Sequence, residues 1–243
     1  MFDVRPVGET GSTNDDAAKL LGEPDAAGLV LVADYQTAGH GRRARSWVAP
    51  RGSALLFTAI LPERLPARAL WALPFWTALG VADGIETVCG LRVALQWPND
   101  LLLEGRKCCG ILCISRVAGS EAWAGCGVGI NVVRPQADPA LEHIVPPPAF
   151  LSEFAPAVRR ELLLAGILAA FERRAPELAD PAAIARAWEQ CAGLAGTAYR
   201  ILIDGSAEPI DAVALRLGED GELVVSEGHA IRSIALADAR VVR

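Results

Sequence analysis

Two apolar runs, residues 29–33 and 54–60, limit what this chain can become more than any other feature, because neither alternates polar with apolar side chains. A strand with no wet face has to be covered on both sides, so each run predicts a strand inside a layered sheet. Residues 37–52 between them are polar and carry Arg42, Arg43, Arg45 and Arg51 among glycines, which predicts a loop standing off that sheet.

The flanking residues supply the remaining layers. Ser12 and Thr13 precede Asn14-Asp15-Asp16, and Gly22 follows: a cap, an acidic first turn and a terminal glycine predict a short helix. Residues 68–89 repeat apolar side chains at helical spacing, with Pro74 expected to kink the element or mark its true first turn. Residues 92–97, 101–103, 107–116 and 121–133 read as consecutive strands, Glu104-Gly105 being a hairpin turn. A proline-rich loop over 135–148 leads to helices over 157–174 and 181–192. Beyond Gly193, residues 199–203, 210–217, 223–225 and 231–236 are short strands with turns at Asp204-Gly205 and Asp220-Gly221. The expected fold class is α+β: a mixed sheet flanked by helices over 1–192, then a small β-barrel over 193–243.

Composition narrows the function. Hydrophobic residues make up 52% and charged residues 21%, which describes a globular protein, and no apolar run reaches the ~20 residues a bilayer needs. The start lacks a basic patch followed by a long apolar stretch, so no secretion signal is read and a cytoplasmic protein is expected. A net charge of -6 argues against a protein built to bind nucleic-acid backbone. Cys108 and Cys109 are adjacent and Cys113 follows at no zinc-like spacing, so the six cysteines are expected to be core thiols, with no metal site made of protein thiolates. Among 23 basic residues only Lys19 and Lys107 are lysine. Against that bias, which genomic base composition can itself produce, the lysine at 107 hints that an ammonium is needed there.

Three segments carry candidate chemistry. In the first, Gly39-His40-Gly41-Arg42-Arg43-Ala44-Arg45-Ser46-Trp47, glycines let backbone approach an anion while guanidiniums bond carboxylate or phosphate; an exposed basic loop or nucleic-acid patch explains it equally well. In the second, Asp100 and Lys107 flank a hairpin turn, which can aim a carboxylate and an ammonium into one pocket. For isolated residues a turn-shaping aspartate and a solvated lysine are the simpler account. The third, Gly125-Cys126-Gly127-Val128-Gly129-Ile130-Asn131, places glycines on a strand, where close ligand approach and close packing are equally good reasons.

Taken in order, the set resembles the biotin protein ligase family over most of the chain. Ser12-Thr13-Asn14 is similar to that family's Ser-Thr-Asn entry, and residues 36–47 resemble its Gly-Arg-Gly-Arg-x-Gly-Arg-x-Trp loop. Trp97-Pro98-Asn99-Asp100, Lys107 and Gly110-Ile111-Leu112 resemble its Lys-Trp-Pro-Asn-Asp and Lys-x-x-Gly-Ile-Leu blocks, and Gly129-Ile130-Asn131 completes the order. The carboxyl-terminal strands resemble its small SH3-like domain. Three departures stand out: His40 replaces a basic residue, Ala44 a glycine, and Gln96 the lysine before Trp97.

The resemblance implies an enzyme that uses ATP and Mg2+ to convert biotin to biotinyl-5'-adenylate and then biotinylates a lysine of a biotin carboxyl carrier protein, an acetyl-CoA carboxylase subunit by default. It implies that Ser12, Thr13, Asn14 and Gln36 hold the biotin head group and that Gly39, His40, Gly41 and Gly110 line its pocket. Arg42 and Lys107 would stabilise charge on the phosphate and acyl oxygens, with Asp100 orienting Lys107 or the incoming amine. Arg45, Trp47 and Asn131 would serve the nucleotide, and residues 134–148 a second lid. Because the Ser-Thr-Asn entry begins at residue 12, the short form without a DNA-binding domain is expected, hence no DNA partner; with no apolar run of membrane length no membrane partner is expected either, and a homodimer or a carrier complex through an exposed sheet edge is left open. Rival readings are a lipoate or octanoate ligase or transferase of the same fold, a non-catalytic module that binds biotin or a carrier, and a nucleic-acid binder.

Overall fold

The computed structural model describes residues 2–136, 141 and 144–242. Its larger sheet has eight strands: β1 (Asp3–Thr10), β2 (Leu29–Gln36), β3 (Ala54–Ile60), β4 (Leu65–Pro66), β5 (Ala94–Gln96), β6 (Asp100–Leu103), β7 (Arg106–Ala118) and β8 (Glu121–Asn131). They run in the order β1-β2-β3-β8-β7-β6-β5, with β4 on β8. β1 and β2 pair in parallel across the helix α1 (Thr13–Leu20), and the other pairs are antiparallel, so the sheet is mixed as expected.

All seven residues of β3 are buried, as its unbroken apolar run requires. Leu55, Phe57 and Ala59 point into the main core with α2 (Leu73–Cys89) and α3 (Arg160–Arg174), while Ile60 packs with Ala17 and Leu21 on the α1 side. Pro74 occupies the first turn of α2 and leaves the helix unbroken, where its missing N–H costs nothing. Gly80 and Gly84 let α2 and α3 approach closely: a methyl at Gly84 would stand 2.8 Å from the Ile167 Cα. The helix α4 (Pro181–Ala192) matches its expected span, capped by the Asp180 side chain and ended by left-handed Gly193.

The sequence reading did not anticipate β1. Pro6 and Gly8 spoil its strand pattern, yet it lies at the sheet edge, where proline is tolerated, and its register slips at those two residues.

A second sheet of five antiparallel strands follows: β9 (Ala198–Ile203), β10 (Ile210–Leu217), β11 (Leu223–Glu227), β12 (Ala230–Ile234) and β13 (Ala239–Val241), in the order β12-β11-β10-β9-β13. These antiparallel strands fit the small SH3-like domain expected at this end of the chain, with no pairing of β12 to β13 among the described residues; β13 was not foreseen. Tyr199, Ile201, Ala214 and Val225 share one apolar core with Phe75, Trp97 and Trp188. Trp97, fully buried, keys the two sheets together: its indole N–H donates to the Gly221 carbonyl at 3.2 Å. Gly221 has φ 78° and a methyl there would meet Phe75 at 2.7 Å, so that position admits only glycine. Among the described residues no helix is long and apolar enough to cross a membrane.

Candidate active site

A cavity of about 390 Å³ opens where β2, β6, β7 and β8 meet the 37–52 loop, and the residues to which the resemblance gives an individual ligand-binding or catalytic role all line it except Gly39. Gly39 acts one step back: its carbonyl accepts the Trp47 N–H at 2.8 Å, closing the base of the loop.

One end of the cavity is neutral. Ser12 takes the N-cap position of α1, but its hydroxyl makes no cap bond to the helix. Gln36 Oε1 accepts from the Thr13 backbone N–H at 2.7 Å, which turns Gln36 Nε2 the other way. Asn14 lines the cavity and also braces its wall: its Nδ2 donates to the Leu112 carbonyl at 2.9 Å and its Oδ1 faces the Thr58 hydroxyl at 2.8 Å. Gly127 lies under Asn14 and Gly129 under the Trp47 ring, a methyl at the latter falling 2.7 Å from the indole. The strand glycines of β8 therefore serve packing first, and the cavity owes its floor to that packing.

The loop forms a small antiparallel turn, with His40 bridged to Ser46. His40 Nε2 lies 2.9 Å from Asp15, tying the loop to α1. At the tip Arg43 takes left-handed backbone angles, φ 60° and ψ 45°, costly for a residue with a side chain. This turn separates the two adjacent arginines: Arg42 lines the cavity and donates to the Leu236 carbonyl, while Arg43 reaches Asp204 and the Ala237 carbonyl on the second sheet. Burial, and then the neighbouring Arg43, hold the Arg42 pKa below its ordinary value, with Asp100 pulling the other way. A half-buried guanidinium beside another cation is a ready receptor for an anion.

At the charged end Lys107 Nζ is 2.6 Å from Asp100 Oδ1 and 5.4 Å from the centre of the Trp47 ring. Strict alternation on β7 would send Lys107 to the core face with Cys109 and Ile111. A register slip between Leu101 and Leu102 inserts one residue, so Leu101 faces Cys109 but Leu102 faces Lys107. That bulge re-aims Lys107 toward Asp100 and Gly110, where a methyl would stand 3.2 Å from the ammonium. Its mark in the sequence is the pair Cys108-Cys109, adjacent yet both completely buried. Burial pushes the Cys108 thiol up to about 12, and its S–H donates to the Leu101 carbonyl at 3.3 Å, so these are core thiols as expected. Cys126 is buried as well, whereas Cys89 and Cys113 are partly buried and Cys191 is exposed.

Sequence reasoning missed Thr58, Asp204 and the carbonyls of Leu236 and Ala237, since none belongs to a motif and only folding brings them to the loop or the cavity floor. Of the expected second lid, residues 137–140 and 142–143 lie outside the described residues, while Leu141, Ile144, Val145, Pro146 and Pro148 line the cavity, joined by Val241 of β13. Among the described residues no three His, Cys, Asp or Glu side chains gather as a metal site.

Residues 9–131, half of the chain, match the model of the biotin/lipoate A/B protein ligase family. The biotin--[acetyl-CoA-carboxylase] ligase of Paracoccus denitrificans is 37% identical over 171 residues, covering 63% of this chain and 70% of that protein. The bifunctional ligase/repressor BirA of Bacillus subtilis is 29% identical over 232 residues, 93% of this chain and 70% of that protein. In structure, the biotin protein ligase from Aquifex aeolicus in complex with biotin and ATP aligns with a TM-score of 0.79 at 21% identity, covering 100% of both chains. With the loop, the Trp97–Asp100 block and Lys107 gathered on one cavity inside the matched residues, this chain belongs to the biotin/lipoate A/B protein ligase family.

Proposed function

We propose that this protein uses ATP to convert biotin to biotinyl-5'-adenylate and then transfers the biotinyl group to a lysine of a biotin carboxyl carrier protein. One observation carries the reading: a single cavity has uncharged hydrogen-bonding groups of Ser12, Thr13 and Gln36 at one end and Arg42 and Lys107 at the other. That gradient suits an acid with a neutral polar head whose carboxylate is to be joined to a phosphate.

In the first step a biotin carboxylate oxygen attacks the α-phosphorus of ATP and the bond to pyrophosphate breaks. In the second the carrier amine attacks the acyl carbon, loses a proton and expels AMP. Negative charge grows on phosphate and acyl oxygens in turn, and the ammonium of Lys107 and guanidinium of Arg42 stabilise it, an effect for which one donor typically supplies ~10²-fold or more. Asp100 fixes the ammonium in place. Trp47 and Asn131 form the nucleotide side of the wall, and exposed Arg45 at the rim meets the triphosphate. Magnesium completes its shell with phosphate oxygens, so it would arrive with ATP, on the side of the cavity that Asn131 lines. The loop, closed over the adenylate, keeps water from a hydrolysable anhydride.

The name of the Paracoccus relative supports an acetyl-CoA carboxylase subunit as the carrier, and the cytoplasm is the proposed compartment. The test is incubation with ATP, labelled biotin and a carrier domain. Label on the domain with release of pyrophosphate is expected; absence of pyrophosphate would leave only a binding module, and label from lipoate or octanoate instead of biotin would assign the sister activity.

A further inference from the structure

Thr58 is completely buried beneath the neutral end and its hydroxyl sits between two residues of the cavity wall. Thr58 Oγ1 is 2.8 Å from Asn14 Oδ1 and 2.9 Å from Thr13 Oγ1, and Thr13 Oγ1 is 3.0 Å from Gln36 Oε1. These three oxygen–oxygen contacts have two hydroxyl protons between them. Asn14 Nδ2 is committed to the Leu112 carbonyl, so Oδ1 can only accept, and the Thr58 proton goes to it. The Thr58 oxygen then accepts the proton of Thr13. Gln36 Oε1 is already held by the Thr13 backbone N–H at 2.7 Å, and its contact with Thr13 Oγ1 is left without a proton.

We propose that Thr58 is a positioning residue that sets the polarity of this end of the cavity, and that the polarity selects a cyclic urea. Thr13 Oγ1 and Gln36 Oε1 together await an N–H, while Gln36 Nε2 offers N–H to a carbonyl. A cyclic urea carries an N–H and a C=O side by side and supplies both. An alkyl chain or dithiolane ring supplies neither and leaves buried polar groups unpaired, the situation in which a site discriminates most strongly. The inference rests on the function proposed above and adds the residue that sets its selectivity.

Thr58→Val keeps the shape and removes the hydroxyl; Thr58→Ser keeps the hydroxyl. Measured by pyrophosphate release, Thr58→Val is expected to raise the KM for biotin about tenfold or more, leave kcat and the KM for ATP within about twofold, and narrow the preference for biotin over octanoate. Thr58→Ser should behave as wild type. An unchanged biotin KM in Thr58→Val, a Thr58→Ser variant equally impaired, or a matching rise in the KM for ATP would each overturn the proposal. Should Thr58→Val fail to fold, thermal shifts of the wild-type protein decide: stabilisation by desthiobiotin, which keeps the urea, and not by octanoate supports the polarity, and equal stabilisation refutes it. If the wild type releases no pyrophosphate with biotin, it is the function that fails; if it does and Thr58→Val is normal, only the role of Thr58 falls.

Discussion

At the neutral end of the cavity Thr13, Gln36 and Thr58 project from α1, β2 and β3, and Thr13 and Thr58 are withdrawn from solvent. At the charged end Arg42 rides on a loop turned by a left-handed arginine, and Lys107 is aimed by a β-bulge. The first arrangement is fixed by packing; in the second, Arg42 stands on a loop held by a few polar contacts. Recognition of an uncharged head needs donors and acceptors held within tenths of an ångström, because each misplaced group is a buried polar atom without a partner. Activation of a carboxylate by a polyanion needs entry, closure and release, and a loop is the kind of element that allows them.

The sharpest way to break this division is Lys107→Ala. Adenylate formation is expected to fall by ~10²-fold or more, with biotin affinity and thermal unfolding close to wild type. Wild-type turnover would remove the assignment of this lysine, and equal losses in biotin affinity and turnover would show that the two ends are not separate. Arg42→Ala comes next, at about tenfold to a hundredfold in adenylate formation, a smaller loss because part of its guanidinium is engaged by the Leu236 carbonyl. Biotin binding without ATP, followed by calorimetry, should again be spared. Gln36→Leu tests the other end: the KM for biotin should rise about tenfold, the value of one lost hydrogen bond, at unchanged kcat.

These residues differ in how far the amino-acid sequence reveals them. The covered strands β2 and β3 are legible because a strand with two dry faces has no alternation, and α4 because Asp180, Pro181 and Gly193 mark both its ends. Arg42, Lys107 and Gln36 stand out through order and residue type. Thr58 does not: in a run of apolar residues a lone threonine reads as one more strand former, and only its neighbours across 44 and 45 residues give its hydroxyl a task. β1 and β13 are hidden for a similar reason, since edge strands owe their existence to the partner already in place. The Lys107 bulge lies between these cases, because two adjacent buried cysteines announce it once burial is known.

The finest distinction concerns what holds the loop over the charged end. The left-handed backbone of Arg43 costs about 1–3 kcal/mol, and against it stand the contacts of Arg43 with Asp204 and with the Ala237 carbonyl at 2.9 Å. The Asp204 side chain is 65% exposed, and pairs of that kind contribute about 0.2–1 kcal/mol. Strain and clasp are of similar size, which leaves the closed loop poised instead of locked. Asp204→Asn should therefore raise the rate at which biotinyl-adenylate escapes or hydrolyses in the absence of carrier by no more than about fivefold, the factor corresponding to 1 kcal/mol. Biotin affinity should not move, because the neutral end makes no use of the second sheet. The pairing itself is tested by exchange: Arg43→Asp and Asp204→Arg should each leak, and the double variant should leak less than either. If adenylate retention in Asp204→Asn equals wild type at low and high salt alike, the second sheet plays no part in closing the loop, and closure rests on the His40–Asp15 contact and the ligand alone.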